Sequence, residues 1–103
     1  MTFQIKANPT FQATLTIVGQ GREQKLDVVF RHKTRTEYAD LLKSLADGEL
    51  DAAGLVLALV ESWDADAPLD QNGLDLLQDH QPGADFAIIS AYGEALAVAR
   101  KKN

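Results

Sequence analysis

Cysteine is missing from this chain of 103 residues, and its absence excludes disulfides, thiolate metal sites and thiol nucleophiles together. Histidine occurs at two positions, His32 and His80, in segments whose spacing brings no two imidazoles to one ion. Between Asp51 and Ala99 there is no lysine or arginine; the cations of the second half are Arg100, Lys101 and Lys102. The first fifty residues hold seven Lys/Arg against six Asp/Glu, and the rest hold three against nine, so the halves carry +1 and −6. Such a surface repels phosphate and anionic lipid, so neither nucleic acid nor membrane is an expected partner. Long apolar runs are absent too. Ala52 to Val60 falls far short of the ~20 residues that span a bilayer. Met1 to Ala7 carries no apolar signal-peptide core, and the expectation is a cytoplasmic protein.

With 46% hydrophobic and 24% charged residues the composition is that of a globular protein, and the length fits one domain over residues 1–103. Phe11, Ala13, Leu15 and Ile17 alternate with Gln12, Thr14 and Thr16; Leu26, Val28 and Phe30 alternate with Lys25, Asp27 and Arg31. Between the two runs lie Gly19, Gln20 and Gly21, suited to the positive φ of a reversal. The pattern predicts an antiparallel hairpin with one buried face. Met1 to Ala7, with Phe3 and Ile5 in phase, offers a third short strand before Pro9. A bare hairpin is marginal in water, so helices must cover it.

Four helices are predicted. Thr34 and Glu37 have capping-box spacing ahead of Tyr38, Leu41, Leu42 and Leu45, and Gly48 closes that helix. Asp51 caps a second, with apolar positions Leu55, Val56, Leu59, Val60 and Trp63. Asp64 to Leu69, containing Pro68, reads as a loop, and Asp70 caps a third helix carrying Leu74, Leu76 and Leu77. Gln81, Pro82 and Gly83 stop it. The last runs from Ala84 to Arg100, with Phe86, Ile89, Tyr92, Leu96 and Ala99 along one stripe, Ile88 beside it, and the cations Arg100, Lys101 and Lys102 at its partially negative end. The fold class is therefore α+β: an N-terminal antiparallel hairpin packed on about four helices.

No reaction chemistry emerges. Asp64, Asp66 and Asp70 resemble a calcium loop briefly, but Pro68 and Leu69 stand where a third oxygen ligand and a glycine belong. Ser44, Ser62 and Ser90 fall in predicted helices, away from any glycine elbow. The Gly19–Gln20–Gly21 element precedes a strand, whereas phosphate loops precede helices. No catalytic, cofactor-binding or metal-ligating residue is assigned, and the chain is read as a non-enzyme without cofactors.

Candidates for partner binding do exist. Arg31, Lys33 and Arg35, with His32 among them, cluster before a helix N-terminus whose dipole opposes them, so an acidic partner or the chain's own acidic half would compensate. No aromatic interleaves with them to stack a base, which disfavours RNA. Trp63 and Leu69 bracket the acidic loop, with Trp63 either anchoring the core or meeting a partner. Tyr92 is placed in the core with its hydroxyl at the rim.

The ordered set Asn8–Pro9–Thr10–Phe11, Phe30 to Glu37, Ser62–Trp63–Asp64, Leu74 to Leu77, Pro82–Gly83–Ala84, Ala91–Tyr92 and Arg100–Lys101–Lys102–Asn103 resembles the small tail assembly chaperones of long, non-contractile-tailed (siphovirus-type) bacteriophages and related prophages. The likeness runs through almost the whole chain. It implies a non-enzymatic protein that binds the tape measure protein, keeps it soluble and promotes tail tube polymerisation around it, in the host cytoplasm and absent from the mature virion. It also implies a partnership with the major tail tube protein through a longer, frameshifted form. The exposed hairpin edge adds self-association as an expectation. A rival reading shares the same composition: a prophage-encoded interaction module or regulator acting on a host protein.

Overall fold

A computed structural model describes residues 2–99. Strands β1 (Thr10–Gly19) and β2 (Arg22–Arg31) form the hairpin, in unbroken antiparallel register from Thr10↔Arg31 to Gly19↔Arg22. Gln20 and Gly21 have φ of 54° and 73°, the two positive values that a two-residue reversal needs to follow the strand twist. One face carries Phe11, Ala13, Leu15, Ile17, Leu26, Val28 and Phe30 against the helices. The other is polar and cross-linked: Thr14 Oγ1 donates to Asp27 Oδ1 at 2.6 Å, and Lys25 Nζ donates to Thr16 Oγ1 at 2.8 Å.

Four helices follow, α1 (Arg35–Ala46), α2 (Ala52–Leu59), α3 (Gln71–His80) and α4 (Ala84–Leu96). The capping box at the start of α1 is complete, with Glu37 N–H donating to Thr34 Oγ1 at 3.1 Å and Thr34 N–H to Glu37 Oε1 at 2.9 Å. The Thr34 backbone N–H first, then the Thr34 side chain, hold the Glu37 carboxyl below its ordinary value. Asp51 and Asp70 cap α2 and α3 by accepting from Gly54 N–H at 2.7 Å and Gly73 N–H at 2.8 Å. Each cap falls where the sequence places it.

A third strand is present, but in a different segment. The chain passes without a loop from α2 into β3 (Val60–Trp63), which pairs antiparallel with β2 in the order β1-β2-β3. Val60 lies opposite Phe30, while Ser62 and Trp63 lie opposite Val29 and Val28, leaving Glu61 as the extra residue of a bulge. So the second helix stops at Leu59 rather than reaching Trp63, and Ser62 lies on a strand. An apolar run that feeds one core gives no sequence signal at the change of period, and the polar backbone edge of β2 takes Val60–Trp63 as its partner. None of residues 2–9 belongs to a strand; Phe3 and Ile5 are 84% and 88% exposed. Among the described residues, nothing pairs with the outer edge of β1.

Helix α4 crosses the centre of the core. Its buried face is Ala84, Asp85, Ile88, Ile89 and Tyr92, rotated from the predicted stripe towards Ile88, which leaves Phe86 58% exposed. The helix ends at Leu96, so Ala99 lies beyond it, and Arg100, Lys101 and Lys102 lie outside the described residues. Tyr92 is fully buried among Phe11, Phe30 and Tyr38, at ring-centroid distances of 5.9, 5.1 and 5.3 Å. Its hydroxyl is not at the rim. It donates to the carbonyl of Arg31 at 2.8 Å and accepts from Lys33 N–H at 2.9 Å, tying α4 to the link between β2 and α1. Burial pushes that hydroxyl above its ordinary pKa, and the Lys33 bond works the other way. Buried Asp85 sits in the first turn of α4, where the dipole favours an anion, and accepts from Gln78 Nε2 at 3.0 Å.

Candidate functional site: an apolar groove

Trp63 ends β3 with its ring turned to the helices, opposite Val28. From there the chain must reach Asp70, and two contacts fix its path. The indole Nε1–H of Trp63 donates to the carbonyl of Ala67 at 2.9 Å, folding Asp64–Ala67 over the ring edge. The carbonyl of Pro68 then packs so closely on Gly73 that a Cβ there would lie 1.7 Å from its oxygen. The loop is thus clamped to β3 at one end and to α3 at the other.

Beneath it opens a groove of about 380 Å³ between the turn end of the hairpin, the Trp63–Ala67 loop, α3 and the start of α4. Ile17, Leu26, Trp63, Leu77 and Ile88 supply apolar walls, and Leu76, 50% exposed, stands at the mouth. On α3 the lining positions Gly73, Leu76, Leu77 and His80 follow helical spacing, so one face of that helix forms a wall. Gln20 Nε2 donates to the carbonyl of His80 at 2.9 Å and braces the hairpin turn against the end of α3. Exposed Asp64 and Asp66 stand on the loop side. Lys25 also borders the groove, but its ammonium is held by Thr16 on the outer face of the sheet.

The residues singled out from the sequence do not form one site. Trp63 lines the groove, and Leu69 packs against the core just beyond it. Arg31, Lys33 and Arg35 lie outside the groove, around the far end of β2 and the start of α1. There Arg31 Nη1 donates to the carbonyl of Leu57 at 3.2 Å, one of the last carbonyls of α2, which a cation satisfies well. Sequence reasoning missed Gly73, Leu76 as a rim residue, and Asp85. The helical spacing of Leu74 and Leu77 signals a buried stripe, and nothing in the sequence marks Leu76 as its edge.

The arrangement can receive apolar side chains. It belongs to an α+β fold of one three-stranded antiparallel sheet and four helices. The family model described as phage tail assembly chaperone matches residues 1–103, so the chain belongs to that family. No curated protein and no solved structure matches the chain. Among the described residues, no helix is long and apolar enough to cross a membrane.

Proposed function

We propose that this chain, acting as one domain over residues 1–103, binds the tape measure protein of its phage, keeps it soluble and promotes tail tube polymerisation around it. Family membership supports the general role. The observation that carries the finer reading is the preformed groove lined by Trp63, Leu77 and Ile88, with Leu76 at its mouth. Its volume of about 380 Å³ lies at the low end of ligand pockets, ~300–1,000 Å³, and suits a few anchor side chains from one face of a client helix. Trp63 is the proposed contact, with Leu69 supporting the loop; Lys33 and Arg35 form a second contact area in front of Arg31. No bond is made or broken in this role. The site of action is the host cytoplasm, the finished virion lacks the protein, and the tail tube protein joins through a longer, frameshifted form. Self-association runs along the unpaired border of β1.

Co-expression tests the reading. The tape measure protein is expected in the soluble fraction when this chain is present and in the pellet when it is absent or carries Leu76→Asp, a rim change that leaves the core intact. Equal solubility in all three cases overturns it. So does a pull-down from infected cells that recovers a host protein and no tail protein.

A further inference from the structure

The groove has a charge character as well as a shape. Its loop side presents Asp64 and Asp66, both exposed. The one lysine on its border, Lys25, points its ammonium to Thr16 on the opposite face of the sheet. No lysine or arginine occurs between Asp51 and Ala99, the stretch that supplies the loop and both helical walls. A visiting segment therefore meets an apolar floor with an anionic border.

Resting on the proposed role of this groove, we infer that its occupant is a cationic amphipathic segment: apolar side chains enter between Trp63, Leu76 and Leu77, and flanking Lys or Arg reach Asp64 and Asp66. Two exposed ion pairs give about a tenfold preference over an anionic segment with the same apolar face. That preference is electrostatic and shrinks as salt shortens the screening length.

Trp63 is the sole tryptophan and lines the groove, so its emission reports occupancy directly. The full chain is titrated with two tryptophan-free amphipathic peptides that share a leucine face and carry either Lys or Glu opposite it. The Lys peptide is expected to shift Trp63 emission at about tenfold lower concentration, with the gap closing at high salt. Asp64→Asn/Asp66→Asn should erase most of the gap, while Asp40→Asn/Asp47→Asn, an equal charge change on α1 and its C-cap, should keep it. Equal binding of the two peptides overturns the inference, as does a gap that both double variants reduce alike, which is long-range attraction. A self-complex that occupies the groove and resists the Lys peptide overturns it too. Failure of the solubility experiment with the peptide preference intact would sink the tape measure reading alone; the reverse result would sink the cationic occupant alone.

Discussion

The oxygen of Pro68 lies 1.7 Å from where a Cβ on Gly73 would stand, so the loop after β3 and the first turn of α3 meet backbone to backbone. Inside a helix, Gly→Ala ordinarily stabilises by up to ~1 kcal/mol. Here the sign reverses. The clashing atom is a backbone carbonyl, and displacing it also displaces Ala67, which holds the Trp63 indole. Gly73→Ala is expected to destabilise by about 1–3 kcal/mol, the usual range for overpacking, and to shift Trp63 emission while the protein is still folded. Urea titration followed by far-UV dichroism and by fluorescence checks both effects. Gly93, where a Cβ would lie 3.3 Å from the Tyr38 hydroxyl, is the contrasting position, since a side-chain end can yield.

Tyr92→Phe removes the hydroxyl that bridges Arg31 and Lys33 while keeping the ring among Phe11, Phe30 and Tyr38. Leaving that carbonyl and N–H without their partner should cost about 1–3 kcal/mol in urea unfolding at neutral pH. The alkaline limb follows from linkage. The folded hydroxyl ionises above its ordinary value of 10.0, so the unfolded chain loses the proton first. Stability from this group is complete below that value and is lost as pH rises through the folded one. The gap between wild type and Tyr92→Phe should therefore narrow above about pH 10.

At the start of α1, Thr34→Ala removes the hydroxyl that accepts from Glu37 N–H and that also lowers the Glu37 carboxyl, while the backbone N–H of residue 34, the larger influence on that carboxyl, stays. A loss of ~0.5–2 kcal/mol is expected at pH 7. Because the folded Glu37 carboxyl titrates below its ordinary 4.5, its contribution is present above that value and disappears as pH falls through the folded one. The gap between the two proteins should accordingly narrow in acid by the carboxylate's share and keep the share of the Glu37 N–H cap. A gap that stays constant into strong acid would assign the whole effect to the bond from Glu37 N–H to the Thr34 hydroxyl.

The hairpin and the caps were legible because their signals are local. Alternation in Phe11–Ile17 and Leu26–Phe30, and Thr34, Asp51 and Asp70 ahead of apolar positions, need no knowledge of distant partners. Strand β3 was not legible for the opposite reason. Val60 and Trp63 continue the apolar run of α2, and only the unpaired edge of β2, some thirty residues earlier, makes them a strand. Phe3 and Ile5 carry the alternation without the partner and stay exposed. The groove was half visible: Trp63 stood out as a lone aromatic before an acidic loop, whereas its walls come from four other segments that only the fold assembles. Tyr92 shows the same limit at one atom, since its hydroxyl finds its partners on a link far away in sequence.

The cluster Arg31, Lys33 and Arg35 reads as one basic patch in sequence, yet the structure gives its ends opposite energetic signs. Arg31 donates to the Leu57 carbonyl at the partially negative end of α2, so Arg31→Met, which keeps the apolar stem, should destabilise by ~0.3–1 kcal/mol. Arg35 is the first residue of α1, at the partially positive end, and Arg35→Glu should stabilise by a similar ~0.3–1 kcal/mol. Lys33→Ala keeps the N–H that Tyr92 needs and should stay within ~0.5 kcal/mol of wild type. Urea midpoints for the three variants at low and high salt test the ordering, and added salt should shrink the Arg35 effect. The same variants then separate folding from binding. If Arg35→Glu and Lys33→Ala weaken client capture while leaving stability equal or higher, the patch meets a partner; if capture follows the midpoints, its charges serve this chain alone.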